Sequence, residues 1–443
     1  MRRRRSLRIY SRVSTQNYLR GYHASFASGY LAGKQAAAAS FHQPFEGTSI
    51  IIPTFNQLKY LRSCIESIKK YTQQPYELII IDNGSKDGTA AYLKSLKGRV
   101  RYKIFKVNLG FAGGVNQGLM MAKGTSIVIL NNDTLLTKDW LSNLLTCLSS
   151  DPSIGLVGPV TNNLSNDQKI AVNYKTTREM QRFASSYNRS NPERWRRSKV
   201  IFGFCLLLRR DVLKRVGYLD EGYVNGTCED VDYYLRIRLL GLDLVIAEDT
   251  FIHHYGSVTM RSFRDASRHN HVYFREKWGD WQQIGRLETV MDSAQPDENR
   301  KASDFYPTHI LVKGTDSNVY WVEHGIRFAV RGGEPAGPAV RLPQLDLWNW
   351  PIGADISAES LLRKIAALST PIPDLTEGGL AQTEDGEMYQ YRLGKLHRIV
   401  TKQACTAWNF QQRYIKPISH DEKNRYAEGL PIIAPPIVKA GNI

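Results

Sequence analysis

The stretch Ser126-Ile-Val-Ile-Leu-Asn-Asn-Asp-Thr134 constrains this chain more than any other. Four apolar, mostly β-branched residues, Ile127 to Leu130, run directly into Asn131, Asn132 and Asp133. That pattern describes a buried strand whose carboxyl end presents two amides and a carboxylate. In an open α/β sheet, ligands bind in the crevice beyond such strand ends. A single Asp after a strand is an ordinary turn or capping residue, so the weight given to Asp133 depends on what surrounds it in sequence.

Upstream, Ser49 to Ile52 reads as a strand ending in Pro53-Thr54-Phe55-Asn56, followed by a helix from Leu58 to Tyr71 with apolar residues at Leu61, Ile65 and Ile68. Tyr76 to Ile81 is a second buried strand and closes on Asp82-Asn-Gly-Ser-Lys-Asp-Gly88. Thr89 to Leu96 suits a helix and Val100 to Phe105 a third strand. Strands alternating with helices, each strand ending on polar residues or glycine, predict an α/β fold with a doubly wound, mostly parallel sheet. The run Asn108-Leu-Gly-Phe-Ala-Gly-Gly-Val-Asn-Gln-Gly118 then opens a helix immediately before the Asp133 strand. Glycines at a helix start let backbone N–H groups approach an anion, and the helix dipole favours negative charge there.

Downstream, Thr161 to Lys199 is polar and basic and reads as a long loop, either solvated surface or a lid. The apolar run Val200 to Leu208 follows, and then a second acidic group, Leu219-Asp-Glu-Gly-Tyr223 with Cys228-Glu-Asp-Val-Asp-Tyr-Tyr-Leu-Arg236. Ile252-His-His-Tyr-Gly-Ser257 closes this part.

Six of these pieces in this order resemble the family 2 glycosyltransferases of GT-A fold, especially bacterial rhamnosyltransferase-like members. They are Pro53-Thr-Phe-Asn56, Asp82 to Gly88, Asn108 to Gly118, Leu130-Asn-Asn-Asp-Thr134, Glu229-Asp-Val-Asp232 with Arg236, and His254-Tyr-Gly-Ser257. The resemblance covers residues 48–285 and implies an inverting, metal-dependent hexosyltransferase. Its donor would be a UDP-sugar or dTDP-rhamnose, and its acceptor a hydroxyl of a bacterial surface or spore polysaccharide, as glycan or glycolipid. It implies that Pro53, Phe55 and Asn56 line the base pocket and that Asp82 accepts hydrogen bonds from base or ribose. Asn108, Gly110, Phe111 and Asn116 would shape the wall beside ribose and pyrophosphate. The family's DxD-like motif appears here as Asn131-Asn132-Asp133, leaving one carboxylate to hold Mn²⁺ or Mg²⁺, with His254 or its neighbour His253 completing the site. An imidazole ligand tilts the choice toward Mn²⁺. A carboxylate within reach of the acceptor hydroxyl takes its proton; Asp230 is assigned that role, with Glu229 as the second choice and Asp232 as support. The rival reading is a catalytically silent GT-A-fold carbohydrate-binding or scaffold protein.

The flanks carry weaker signals. Residues 1–47 form a basic arm with Tyr18, Tyr22, Phe26 and Tyr30 at helical spacing. It fits packing on the body, on a second copy to give a homo-oligomer, or on anionic lipid to give a peripheral membrane contact. Residues 286–305 read as a charged linker, and 306–443 as a β-rich domain with two hairpin repeats turning at Gly325 and Gly394. Each hairpin is followed by an aromatic knot, Trp348-Asn-Trp350 or Trp408-Asn-Phe410, and then Ile-Ser. The formal charge of +17 calls for an anionic partner. No nucleic-acid reading motif accompanies it, so nucleotide pyrophosphate, anionic glycan or lipid is expected instead. Five scattered cysteines support neither a disulfide framework nor a zinc site, and a cytoplasmic location is expected.

Overall fold

The computed structural model describes residues 44–439 apart from 97, 99, 165–166, 257–263, 294–296, 316, 334–336 and 372. The chain divides into two units, residues 1–46 and 47–443, and the second carries the sheets and the cavity. Of the basic arm, residues 1–43 lie outside the described residues.

Along the chain the strands are β1 (Phe45–Thr54), β2 (Tyr76–Asp82), β3 (Arg101–Ile104), β4 (Gly124–Leu130), β5 (Thr134–Leu135), β6 (Ile154–Val160), β7 (Trp195–Ser198), β8 (Cys205–Arg209), β9 (Asp243–Phe251) and β10 (His253–His254). Eight of them form one sheet in the order β3-β2-β1-β4-β8-β6-β9-β7, and β5 pairs with β10 alone. The pairs β1–β2, β2–β3 and β6–β9 are parallel, while β8 and β7 run antiparallel to their neighbours.

Alternation along the strands builds a core on both faces. Ile50, Ile52 and Leu130 pack with Leu61, Ile65 and Leu141 of the helices Leu58–Tyr71 and Trp140–Ser149. Ile51, Ile79 and Ile129 face the other way, onto Val115 and Leu119 of the helix Gly110–Met121. The chain winds from β1 outward through β2 to β3, then returns to place β4 on the other side of β1. The carboxyl ends of β1 and β4 therefore flank a topological switch point, where such sheets bind ligands. Because β8 is antiparallel to β4, its beginning lies beside the end of β4: the Asn131 N–H donates to the Phe204 carbonyl at 2.9 Å.

The segment expected to be a long loop carries regular structure over residues 177–198. Thr176 and Glu179 form a reciprocal capping box that starts the helix Thr177–Tyr187, whose Met180 and Ala184 are buried. Its basic end is β7 on the sheet edge, with Arg196 paired to Glu248 at 2.7 Å and Arg197 to Asp243 at 2.7 Å. These arginines are tied down on the sheet edge, so the segment is not a bare loop. Residues 286–305 carry the end of the helix Trp281–Ser293, with Leu287 and Met291 buried, and a 3-10 turn that buries Phe305.

The C-terminal part repeats one topology. The hairpins Val319–Glu323/Ile326–Arg331 and Met388–Arg392/Lys395–Arg398 turn at Gly325 and Gly394, both with positive φ as such turns require. An antiparallel strand joins each hairpin, and a short parallel strand closes each side, giving two five-stranded sheets. The aromatic knots do not correspond: Trp348 follows the fourth strand of its sheet, whereas Trp408 precedes the fourth strand of the other. Trp350, Trp408 and Phe410 are buried in the apolar cluster that also holds Tyr233 and Ile237. Their rings are core, and Trp348 alone of the four is exposed. Among the described residues no helix is long and apolar enough to cross a membrane.

Candidate active site

A cavity of about 540 Å³ opens at the switch point. Pro53 and Phe55 reach it from the end of β1, Asn131, Asn132 and Asp133 from the end of β4, and Asn108, Gly110 and Phe111 from the start of the helix Gly110–Met121. Glu229, Asp230 and His254 line it as well, so the strand end Asn131 to Asp133 and the acidic pair meet in one hollow.

Asp133 is positioned from both sides. Asn132 donates through Nδ2 to Thr54 Oγ1 at 2.8 Å, tying the ends of β4 and β1. The ribbon of β5 and β10 pairs Thr134 with His254 and Leu135 with His253, and the Tyr255 N–H donates to the Asp133 carbonyl at 3.0 Å. This register brings His254 Nε2 to 3.2 Å from Asp133 Oδ1. His254 Nδ1 lies 3.1 Å from the Asn163 carbonyl oxygen, which only accepts, so Nδ1 carries the proton of the neutral ring. Nε2 then turns a lone pair toward a carboxylate oxygen, an arrangement that a proton or a cation between them resolves. Phe204 stacks on the ring at 5.3 Å and fixes its plane. His253 faces elsewhere: its Nδ1 lies 2.6 Å from the Tyr174 hydroxyl, and burial pushes its pKa down to about 4. Of the two histidines, His254 is therefore the one whose ring meets Asp133. Among the described residues no group of three or more His, Cys, Asp or Glu side chains could hold a metal, so Asp133 and His254 stand as a pair.

The acidic pair begins the helix Glu229–Leu239. Asp230 Oδ2 accepts from the Gly203 N–H and Oδ1 from the Val231 N–H, each at 2.9 Å. Burial raises its pKa against the pull of these bonds. Glu229 is buried, and its Oε2 has no hydrogen-bond partner among the described residues. Burial first, and the neighbouring Asp230 charge second, push its pKa well above the ordinary carboxylate range. Two adjacent buried carboxyls do not both ionise readily. Backbone N–H groups hold both carboxyls, and the larger rise falls on Glu229, which makes it the more readily protonated of the two.

Three expected site residues lie outside the lining. Asn116 is completely buried and staples its helix to the loop ahead of the acidic pair, donating to the Leu219 carbonyl and Glu221 Oε1, both at 2.9 Å. Asn56 accepts from the Lys86 N–H at 2.9 Å and joins the loops after β1 and β2. Asp82 is completely buried and accepts from the Ser85 N–H at 2.9 Å; its other oxygen has no partner among the described residues. Its neighbour Asn83 lines the cavity instead, as do Phe202, Gly203, Phe204, the segment Asn225 to Cys228, and His271. The glycine inside the apolar run Val200 to Leu208 was the available signal for the second of these groups.

Sheet order, crevice and site define a GT-A-type glycosyltransferase fold. Residues 49–217 match the model of Glycosyl transferase family 2. The glycosyltransferase AglE of Haloferax volcanii is 25% identical over 225 residues, covering 49% of this chain and 70% of that protein. The poly-beta-1,6-N-acetyl-D-glucosamine synthase of Staphylococcus epidermidis is 25% identical over 258 residues, 54% of this chain and 58% of that protein. A mannosyltransferase of Pyrobaculum calidifontis solved with GDP-mannose and Mn²⁺ aligns with a TM-score of 0.39 at 18% identity, over 61% of this chain and 80% of that one.

Proposed function

We propose that the protein is an inverting glycosyltransferase that moves a sugar from a nucleotide-diphosphate donor to a hydroxyl of a bacterial surface or spore polysaccharide, as glycan or glycolipid. The observation that carries this reading is the convergence of Asp133, His254, Glu229 and Asp230 on one cavity large enough for a nucleotide sugar.

Pro53 and Phe55 supply apolar faces for a planar base, and Asn83 and Asn131 offer amides for its polar edge and the ribose. Gly110 opens a helix whose N-terminus attracts the diphosphate. The donor set of Asp133 and His254 fits Mn²⁺ or Mg²⁺ with substrate oxygens completing the shell, and such a cation would neutralise charge on the departing nucleoside diphosphate. Asp230, ionised and held by two N–H groups, accepts the proton of the acceptor hydroxyl as the new bond forms. Glu229, whose burial and neighbouring Asp230 favour the protonated form, serves as a hydrogen-bond donor and leaves the charge of the pair to Asp230.

A ligand that prefers the folded state raises its melting temperature, by about 2.7 kcal/mol of stability at a hundredfold excess over Kd. Thermal unfolding with UDP, GDP and dTDP and their sugars should rise for one nucleotide series. The rise should grow with Mn²⁺ and lose that increment in Asp133→Ala. A flat response across the panel contradicts the reading.

A further inference from the structure

The four residues that lead into the acidic pair, Asn225, Gly226, Thr227 and Cys228, all hold left-handed backbone angles, with φ of 58°, 102°, 86° and 69°. Three of them carry a Cβ, so the segment is strained and persists only because its surroundings hold it. The helix it enters does not supply the hold, since Cys228 at the cap position makes no side-chain capping bond.

The hold comes from Asn270, a completely buried residue of the helix Arg264–Trp278. Its Oδ1 accepts from the Val224 N–H at 2.8 Å. Its Nδ2 lies 2.9 Å from the Val224 carbonyl, 2.8 Å from that of Gly226, 3.0 Å from that of Thr227 and 3.1 Å from Thr227 Oγ1. A primary amide is the only uncharged side chain that both accepts one bond and donates two. A carboxylate in its place would face three carbonyl oxygens. On the other side the segment abuts Gly110, where a Cβ would stand 3.4 Å from the Asn225 nitrogen. Two turns further along the same helix, Lys277 and Trp278 bond Asp232. One helix thus fixes the chain immediately before and immediately after Glu229 and Asp230.

We infer that Asn270 is a positioning residue for glycosyl transfer: by clamping the strained segment 224–227 it sets the angle at which Glu229 and Asp230 enter the cavity. This role rests on the transferase reading, and the test separates the two. Asn270→Asp keeps the shape and the bond from Val224 but loses donation; Asn270→Ala loses both. In the full chain, amide hydrogen exchange at residues 224–232 should lose protection in both variants while the strands of the central sheet keep theirs. Unchanged exchange at 224–232 overturns the inference whatever the activity. Release of nucleoside diphosphate from the sugar donor that stabilises the protein should fall about 10²-fold in kcat, the cost of misplacing a reacting group by about 1 Å. The Kd for the matching nucleoside diphosphate with Mn²⁺ should stay unchanged, with Asn270→Asp no better than Asn270→Ala. Wild-type kcat in either variant overturns the inference. A wild-type chain that turns over none of the UDP-, GDP- and dTDP-sugars counts against the transferase reading, and the exchange result then decides on Asn270 alone.

Discussion

Asp230→Asn is expected to reduce transfer by between about 10²- and 10⁴-fold in kcat, the range that a positioned general base supplies, while nucleotide affinity stays near that of the wild type. The amide oxygen keeps one of the two N–H bonds, and the NH2 group faces the other N–H, so the side chain holds its place at the cost of one hydrogen bond. What disappears is the acceptor for the incoming proton. Glu229→Gln should instead retain most of the rate, because burial and the neighbouring Asp230 already favour a neutral side chain at this position. The pH profile depends on the same arrangement. Asp230 works ionised and burial raises its pKa, so the acid limb of kcat/KM should lie above the ordinary Asp value of about 3.9. Activity is lost as pH falls through that raised value. Steady-state rates of the two variants across pH decide the matter, and an Asp230→Asn enzyme at wild-type rate removes this residue from the chemistry.

The second large effect is on stability. Lys277 is completely buried, with Nζ 2.5 Å from Asp220 Oδ2 and 2.6 Å from Asp232 Oδ1. Around it Tyr273 donates to Asp220 at 3.0 Å, Trp278 to Asp232 at 2.9 Å and Arg236 to Asp232 at 2.8 Å. Burial alone would raise the Asp232 pKa, and Lys277 and Arg236 reverse that, holding it low. Lys277→Met preserves much of the volume but leaves two buried carboxylates short of one cation. Breaking a buried pair in this way costs about 3–5 kcal/mol. Equilibrium urea unfolding should show a loss of that size, and a change below about 1 kcal/mol would mean that Arg236 and the neutral donors suffice. Asp220 also accepts from the Ile437 N–H at 3.0 Å, so the same substitution should loosen the docked C-terminal segment.

The elements legible in the sequence are those whose signal is local. Apolar runs of three or four residues ending on Pro53, Asp82 or Asn131 mark strands and the polar ends facing the crevice, because buried parallel strands need continuous apolar residues and their carboxyl ends need none. Asp133 and Asp230 can be paired from sequence only through the family resemblance. Nothing local says that the end of β4 and the start of the helix Glu229–Leu239 share a cavity. The choice of His254 over His253 rests on the register of a two-residue ribbon with Thr134, which adjacent identical residues cannot reveal. The helix Thr177–Tyr187 hides under its polar composition, although Thr176-Thr-Arg-Glu179 is a capping-box pattern that announces a helix start. Asn116 sits in a glycine-rich run that suggests ligand contact. Its partners Leu219 and Glu221 lie about a hundred residues away, beyond any local pattern, and they make it a structural staple.

If the protein is a glycosyltransferase of this kind, Asp133, His254 and Asp230 serve one bound donor. Crystals grown with Mn²⁺ and the nucleoside diphosphate that stabilises the protein most would test this by anomalous scattering from manganese. The expected result is a single strong peak within ligand distance of Asp133 and His254 Nε2, with the diphosphate beside it and Asp230 across the same cavity. Manganese or nucleotide bound elsewhere, with the cavity at the ends of β1 and β4 left empty, would contradict it.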